Sequence, residues 1–204
     1  ASMVNIAAEL LGIDYRKVRA QIGDTNAIGI SAVTGGSRVT FAAGMAVQQA
    51  TTKVIETLRA RAAQKWDIDL EAVEWVDGEA RPAGANAGNF EPLSLADLAG
   101  MGGAPIAASV SLNATGHQGA FAAHMVDVEV DKETGHVKVL RYTASQDVGR
   151  AIHPDYVEGQ IQGGVAQGIG WALHEEYIYA ANGDVDNASF LDYRIPVASD
   201  LPKI

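Results

Sequence analysis

The stretch VEGQIQGGVAQGIG, residues 157–170, is the most informative part of the sequence because it has the pattern of a helix and yet contains five glycines. Each glycine inside a helix costs about 1 kcal/mol relative to alanine. A sequence tolerates that cost where something must approach the backbone closely. At helical spacing Gln160, Gly164, Gln167 and Trp171 share one face, which offers amide groups around a bare patch suited to a flat, hydrogen-bonding ring system. Tight packing through small residues explains the pattern equally well, so the residues alone leave both interpretations open.

The segments on either side of this stretch predict a hairpin followed by a long helix. The pattern favours a helix from Asp155 or Val157 to about Tyr179, and a turn at 182–184. Upstream, residues 124–130 alternate between apolar and polar side chains, and residues 137–142 are predicted to return as the partner strand. The sequence DKETG between these two runs is a hairpin loop. The second half of the chain is therefore predicted to pair two strands and then form a helix.

The first half of the chain alternates helical and strand patterns. The predicted elements are a helix over Met3–Leu11 ending at Gly12, a strand over Val18–Ile22, a helix from Val39 to about Trp66, a strand over Glu71–Val76, a loop over Arg81–Pro92, a short helix capped by Ser94, and a strand over Ile106–Leu112. The resulting order is α-β-α-β-α-β-β-β-α. It favours an α+β fold with mixed layered sheets and two long helices, with residues 1–204 forming part of one domain and the loop near 81–105 marking the best place for a sub-division.

A second candidate site precedes the long Ala-rich helix, in the sequence TGGSRVT of residues 34–40. Gly35 and Gly36 let the backbone approach a ligand, and Ser37 can cap the helix or offer its hydroxyl. The helix start also presents unpaired N–H groups and the positive end of the dipole, which favour an anion. The plainer interpretation is a glycine loop with a serine N-cap, and the residues alone favour it. The spacing matches neither the P-loop nor the dinucleotide fingerprint.

Composition excludes several other functions. The 204 residues carry a net charge of −10 and no clustered basic stripe, which argues against nucleic-acid binding. No apolar run is long enough for a transmembrane helix, so a membrane partner is not expected either. The chain has no cysteine, so thiolate catalysis and Cys-ligated metals are excluded within it, and we expect a cytoplasmic, reducing location. The five histidines show no metal-ligand spacing, and no serine has a nucleophile-elbow context.

Several segments, in order and spacing, resemble the large subunit of the molybdenum hydroxylases: the xanthine dehydrogenase, aldehyde oxidase and carbon monoxide dehydrogenase family. The resemblance rests on the helix with Gly12, the loop Thr34-Gly35-Gly36-Ser37-Arg38, and the hairpin with DKETG at 131–135. Its most specific part is DVGRAIHP at 147–154, continued by EGQIQGGVAQG at 158–168 and DYRIP at 192–196. The resemblance covers nearly the whole chain.

The resemblance implies a molybdenum-pyranopterin cofactor, in some members a cytosine dinucleotide, whose dithiolene holds the metal without protein thiolates. The cofactor-binding residues that it implies are Thr34, Gly35, Gly36, Ser37, Val39, Gln160, Gly164 and Gln167. It implies oxidation of an aldehyde or N-heterocycle with water as oxygen donor. FAD and [2Fe-2S] clusters would lie on other domains or subunits of an oligomeric enzyme. No residue of this chain is predicted to be catalytic or to ligate the metal.

Two features of that family are not found in this sequence. The family's general base is a glutamate in a Gly-Glu-Pro-like loop beyond the Tyr-Arg-Ile-Pro segment, and no such loop follows Pro196. A Gly-Gln-Gly cofactor loop before the first helix and the substrate-binding half of the subunit are also missing. We therefore expect an excised domain that contributes to cofactor binding and is inactive by itself. The alternative is a non-catalytic accessory or interaction domain that retains the fold.

Overall fold

The computed structural model describes residues 1–26, 29, 31, 33–102, 104–116 and 119–204. The chain forms two compact units, Ala1–Gly116 and His117–Ile204. The segment 81–105, where the sequence suggested a sub-division, lies inside the first unit. The two units are described separately below.

Two helices form most of the first unit, and both were predicted. Helix α1 spans Ser2–Leu11 and ends at Gly12, whose φ of 67° is the left-handed conformation of a glycine C-cap. Helix α2 spans Val39–Trp66, with the predicted bounds. Its alanines and Gly44 let α1 approach closely, and a Cβ on Gly44 would lie 3.2 Å from the Ile6 side chain. A short 3₁₀ helix at Tyr15–Lys17 follows α1.

A small antiparallel sheet covers the C-terminal half of α2. Strands β1 (Val73–Val76), β2 (Glu79–Pro82) and β3 (Leu93–Ser94) lie in the order β1-β2-β3. The strand predicted over 71–76 begins two residues later, after a 3₁₀ turn at Leu70–Ala72, and the chain turns at Asp77-Gly78. The predicted loop 81–92 is wrong at its start, because Arg81 and Pro82 still pair with β1. The remainder is irregular apart from a 3₁₀ turn at Gly84–Asn86.

Helix α3 (Leu95–Gly100) completes this unit and begins at Ser94 as predicted. The Ser94 hydroxyl accepts a hydrogen bond from the Asp97 N–H, while the Asp97 carboxylate accepts from the Ser94 N–H. This reciprocal capping box satisfies two backbone donors that the helix itself leaves unpaired.

The core of the first unit lies between α2, the sheet and α3. Its buried residues are Leu58, Ala62, Ala63, Trp66, Val73, Ala80 and Leu98. Leu58, Val73 and Leu98 are the largest side chains that are fully buried. The small alanines bring α2 close to β1 and β2, and Trp66 closes the end of this core by stacking on Phe90.

Two predicted strands do not form in the first unit. Residues 18–22 have no strand partner among the described residues, and Ile22 is 89% exposed. Residues 106–112 alternate between half-buried and exposed, as a strand does, yet no described strand pairs with them. Alternation shows which side chains face the protein, whereas a strand also needs a hydrogen-bonded neighbour, and these segments have none in the described parts of the chain.

The second unit contains the predicted hairpin and glycine-rich helix. Strands β4 (Phe121–Val130) and β5 (Val137–Asp147) pair antiparallel, with an irregularity between Asp127 and Val128, and both are longer than predicted. The hairpin loop at 131–135 is confirmed, since Asp131 accepts hydrogen bonds from the N–H groups of Glu133 and Thr134.

Helix α4 spans Pro154–Leu173, so the prediction that it continues to Tyr179 is wrong. Asn187 explains the early end: its side chain donates to the Glu176 carbonyl and accepts from the Ile178 N–H, replacing helical hydrogen bonds. The chain then turns at 182–184, as predicted, and forms a bridge between Tyr179 and Val185. A 3₁₀ turn at Ala198–Asp200 lies near the end of the chain.

Neither unit contains, in its described residues, a helix long and apolar enough to cross a bilayer.

Candidate functional site

Helix α4 begins where the sequence favours a helix start. Pro154 occupies the first turn, where its missing N–H is harmless, and Asp155 places a negative charge at the positive end of the dipole. His153, the N-cap residue, stacks on Tyr156 with ring centroids 4.0 Å apart. Its Nδ1 is buried and has no hydrogen-bond partner among the described residues. The preceding turn is fixed by Asp147, whose side chain accepts a hydrogen bond from the Gly149 N–H at 2.8 Å.

The predicted ligand face of α4 is open. Gln160, Gly164, Gln167 and Trp171 are all exposed, and the Trp171 side chain is 71% exposed. The buried residues of the helix, Val165, Ile169 and Gly170, lie on another side. The four predicted residues therefore form one continuous exposed strip of amide groups, bare backbone and an aromatic ring.

The glycines of α4 fall into two groups. A Cβ added at Gly159, Gly163, Gly164 or Gly168 would meet nothing within 4 Å. Packing inside the second unit therefore does not explain these four residues. Gly170 differs, since a Cβ there would collide with the Glu175 carboxylate and lie 2.8 Å from Pro196 Cδ.

The contacts around Gly170 tie the end of α4 to the later segment DYRIP at 192–196. The Gly170 carbonyl accepts hydrogen bonds from the N–H groups of His174 and Glu175. The Tyr193 hydroxyl donates to Glu175 Oε2 at 2.9 Å, and this hydrogen bond is the main reason that the pKa of Tyr193 is raised. The sequence indicated the glycines and the DYRIP motif separately, but not that Glu175 joins them.

An ion pair between Arg194 and Asp200 stabilises the same segment. Arg194 donates from one guanidinium nitrogen to both oxygens of Asp200, at 2.8 and 2.9 Å. These hydrogen bonds, with one from the Val197 N–H, hold the pKa of Asp200 below its usual value. The DYRIP segment is therefore held at Tyr193 and at Arg194 by side-chain bonds.

The candidate loop at 34–40 belongs to the first unit, and all its residues are exposed. Gly36 and Ser37 both have positive φ, 63° and 56°, and Ser37 is one of few residues other than glycine with that conformation. A Cβ on Gly35 or Gly36 would meet nothing within 4 Å. The loop exposes backbone from Thr34 to the start of α2.

The predicted serine N-cap of α2 is wrong. Arg38 is the N-cap residue, with helical φ and ψ, and no side chain caps the helix there. Ser37 cannot serve because its left-handed backbone is not the extended conformation of a capping residue. Val39, the first residue of α2, therefore begins a helix whose first N–H groups lack a side-chain cap at the N-cap position, beside the open glycine loop.

One of the histidines that were not expected to bind a metal makes a structural contact instead. Nδ1 of His124 lies 3.1 Å from the Tyr142 hydroxyl across the hairpin. Within the described parts of the chain no group of three or more His, Asp or Glu side chains could hold a metal ion. His117 lies outside the described residues.

The profile of the molybdopterin cofactor-binding domain family matches residues 1–202. Curated relatives are similar over almost the whole chain. The 6-hydroxypseudooxynicotine dehydrogenase complex subunit gamma of Paenarthrobacter nicotinovorans is 30% identical, with 99% of this chain and 26% of the relative covered. The putative xanthine dehydrogenase molybdenum-binding subunit XdhA of Escherichia coli (strain K12) is 32% identical, with 98% of this chain and 27% of the relative covered.

Solved structures give the same result for the fold. The structure of reconstituted CO dehydrogenase from Oligotropha carboxidovorans superposes with a TM-score of 0.88 at 26% identity, covering 99% of this chain and 26% of the other. Quinoline 2-oxidoreductase from Pseudomonas putida 86 gives a TM-score of 0.84 at 28% identity, covering 99% and 27%. The expected α+β fold and the family resemblance are thereby confirmed.

The chain spans about a quarter of the length of the relatives that it matches. Its own similarity, however, extends from end to end. The chain belongs to the molybdopterin cofactor-binding domain family.

Proposed function

We propose that this chain supplies part of the binding site for a molybdenum-pyranopterin cofactor, through the exposed face of α4 and the loop before α2. The exposed strip Gln160, Gly164, Gln167 and Trp171 carries the proposal. A glycine-rich helix is costly, and the described residues of this chain leave that face uncovered.

The residues of the strip fit a flat, polar ring system. The Gln160 and Gln167 amides each offer donors and an acceptor, so they can match a heterocycle with alternating nitrogen and oxygen atoms. Gly164 lies between them in sequence and on the same face, and it has no side chain to hold the ring away from the backbone. Trp171 adds an exposed aromatic surface at the end of the strip.

The loop Thr34–Val39, taken by itself within the first unit, fits the anionic part of such a cofactor. Its glycines expose backbone, and the start of α2 presents N–H groups and the positive end of the helix dipole to an anion. The hydroxyls of Thr34 and Ser37 can donate further hydrogen bonds to phosphate oxygens. A cytosine dinucleotide form, with its two phosphates, is the form that we propose.

The bound group would supply the redox chemistry, oxidation of an aldehyde or N-heterocycle with water as the source of oxygen. This chain's residues would bind and orient the group without ligating the metal. We propose that electrons pass to iron–sulfur and flavin groups on other domains or subunits. Two relatives are named as subunits, a gamma subunit of a complex and a large subunit, which supports a multi-subunit enzyme. Since the chain spans a quarter of such relatives, we propose that these 204 residues alone do not turn over substrate.

Two substitutions on the strip test the proposal in the complete enzyme. Gln160→Ala should lower molybdenum per protomer, because it leaves a buried cofactor group unpaired at a cost of about 1–3 kcal/mol. Gly164→Leu should abolish molybdenum binding by filling the bare patch. In the isolated chain neither change should lower the melting temperature appreciably, because both positions are exposed there and Gly164 is uncrowded.

Gln162→Ala is the matched control. Gln162 is an exposed glutamine of the same helix, about 200° around its axis from Gln160. It should leave the metal content unchanged. Full molybdenum occupancy in both test variants would refute the cofactor role of α4 and favour an accessory domain that retains the fold.

A further inference from the structure

We propose that Glu175 and Tyr193 are positioning residues, which fix the C-terminal end of α4 and thereby set where its exposed strip meets the cofactor. The inference rests on the proposed function, because it concerns the same helix face. Neither residue lies on that face. Each acts through Gly170.

The first step is the chain reversal at the end of α4. The Gly170 carbonyl accepts hydrogen bonds from the His174 N–H at 2.9 Å and the Glu175 N–H at 2.8 Å. The helix ends at Leu173, and beyond it the Glu175 carboxylate lies against Gly170. Any side chain at position 170 would collide with that carboxylate, so glycine is needed here for close approach.

The second step is the attachment of the DYRIP segment. Tyr193 donates its hydroxyl hydrogen to Glu175 Oε2 at 2.9 Å, and Pro196 packs against Gly170 from the same segment. The Tyr193 ring also contacts Tyr177, with centroids 5.2 Å apart. The carboxylate of Glu175 is thus held between the helix end and the tyrosine, and it can keep one position only while both contacts persist.

The third step concerns the support of α4 within its own unit. Its buried residues are Val165, Ile169 and Gly170, all in the C-terminal half. Gly159, Gly163 and Gly164 lie nearer its N-terminal end, and a Cβ at any of them would meet nothing within 4 Å. Glycine has a low helix propensity, so a glycine-rich helix is only weakly stable by itself. The orientation of the exposed strip therefore depends on the contacts that fix part of α4. Within the second unit that anchor is the contact of Gly170 with Glu175 and the DYRIP segment.

The test uses the complete enzyme and three variants of the contact. Tyr193→Phe removes one hydroxyl and keeps the ring, and Glu175→Ala removes the acceptor. Glu175→Gln keeps an oxygen that can accept from Tyr193. We expect the first two to weaken cofactor retention about fivefold, as the loss of one hydrogen bond should, and Glu175→Gln to restore it. Molybdenum per protomer is measured beside the melting temperature.

Two controls separate positioning from general stability. Tyr179→Phe changes a tyrosine that is 64% exposed and should leave molybdenum content unchanged. Val73→Ala truncates a fully buried side chain in the core of the first unit, so it should lower the melting temperature through a change outside the unit that contains α4. Positioning is supported only if the Tyr193 and Glu175 variants lose more metal than Val73→Ala does at a comparable melting temperature.

The possible failures are distinguishable. If Gln160→Ala loses molybdenum while Tyr193→Phe and Glu175→Ala keep it, the positioning role is refuted and the cofactor role of α4 stands. Equal metal loss in Val73→Ala would also refute positioning. If the Gln160→Ala and Gly164→Leu enzymes keep full molybdenum occupancy, both the proposed function and this inference are refuted.

Discussion

Gly12 and Gly78 face each other across the first unit, and neither position has room for a side chain. A Cβ on Gly12 would collide with the Gly78 backbone nitrogen, and a Cβ on Gly78 would lie 2.9 Å from the Gly12 carbonyl oxygen. Both glycines also have positive φ, 67° and 84°. The C-cap of α1 and the turn between β1 and β2 therefore meet backbone to backbone, and the Trp75 indole N–H donates to the nearby Leu11 carbonyl at 3.1 Å.

Gly12→Ala and Gly78→Ala should each destabilise the chain by about 2–4 kcal/mol. Left-handed backbone costs alanine about 1 kcal/mol or more, and the collision adds about 1–3 kcal/mol of overpacking. Gly88→Ala is the matched control, because Gly88 has a φ of 79° but nothing within 4 Å of its Cβ position. Gly88→Ala should be destabilised only by the cost of the left-handed backbone, about 1 kcal/mol or more. Urea unfolding followed by the fluorescence of Trp66 and Trp75 measures all three, and equal losses would contradict the close approach.

Leu98→Ala should cost about 2–5 kcal/mol, because Leu98 is fully buried in the core of the first unit and its truncation leaves a cavity. Leu191→Ala makes the same chemical change at a side chain that is 92% exposed in the isolated chain. That control should stay within about 0.5 kcal/mol of the unmodified protein. Calorimetric melting of the isolated chain gives both values, and a similar loss at the two positions would mean that the core is misplaced.

The helices were predictable because their information is local. Gly12 ends α1 as a C-cap, and Ser94 with Asp97 forms the capping box that begins α3. Helix α2 ends at Trp66 as expected, with Asp67 in the left-handed conformation after it, although its N-cap was wrong. Ser37 has the left-handed backbone conformation, which a serine rarely adopts and which its residue type therefore does not predict.

The failures concern interactions between distant residues. Residues 106–112 have the alternation of a strand, but sequence alternation does not reveal whether another strand pairs with them. Helix α4 ends early because Asn187 binds the backbone of Glu176 and Ile178, eleven and nine residues away in sequence. For the site, the spacing of Gln160, Gly164 and Gln167 predicted the shared exposed face. The contact between Glu175 and Tyr193 spans 18 residues and carries no local pattern.

The capping box should make stability depend on pH through Asp97. Hydrogen bonds from the side chain and the N–H of Ser94 hold the pKa of Asp97 below its ordinary value. A depressed folded-state pKa gives stability that is present above the unfolded-state pKa and is lost as pH falls through the folded-state pKa. Asp97→Asn should therefore be less stable than the unmodified protein at neutral pH, and the difference should shrink below about pH 4.

Asp69→Asn is the control for that experiment. Asp69 precedes a 3₁₀ turn as its N-cap but makes no side-chain capping bond. The stability difference between this variant and the unmodified protein should vary less with pH than that of Asp97→Asn. Unfolding in urea at a series of pH values provides the comparison, and an Asp97→Asn difference that grows on acidification would contradict the assigned sign.

The loop before α2 gives the last prediction, and Gly35 is the position that tests it cleanly. Gly36 has a positive φ, so alanine there would combine backbone strain with any effect on a ligand. A Cβ on Gly35 meets nothing in the structure and requires no positive φ. In the isolated chain Gly35→Ala should therefore change the free energy of unfolding by less than about 0.5 kcal/mol. In the complete enzyme it should lower molybdenum per protomer, because the added methyl would separate the loop backbone from the cofactor.

Gly100→Ala is a suitable comparison for Gly35→Ala, since Gly100 is also exposed and uncrowded but belongs to α3. It should leave the metal content of the complete enzyme unchanged. Loss of molybdenum in Gly35→Ala alone, with both isolated chains equally stable, would support close approach of this loop to the cofactor. Unchanged metal in both variants would remove the loop from the proposed site, and α4 would then be the only segment of this chain still proposed to bind the cofactor.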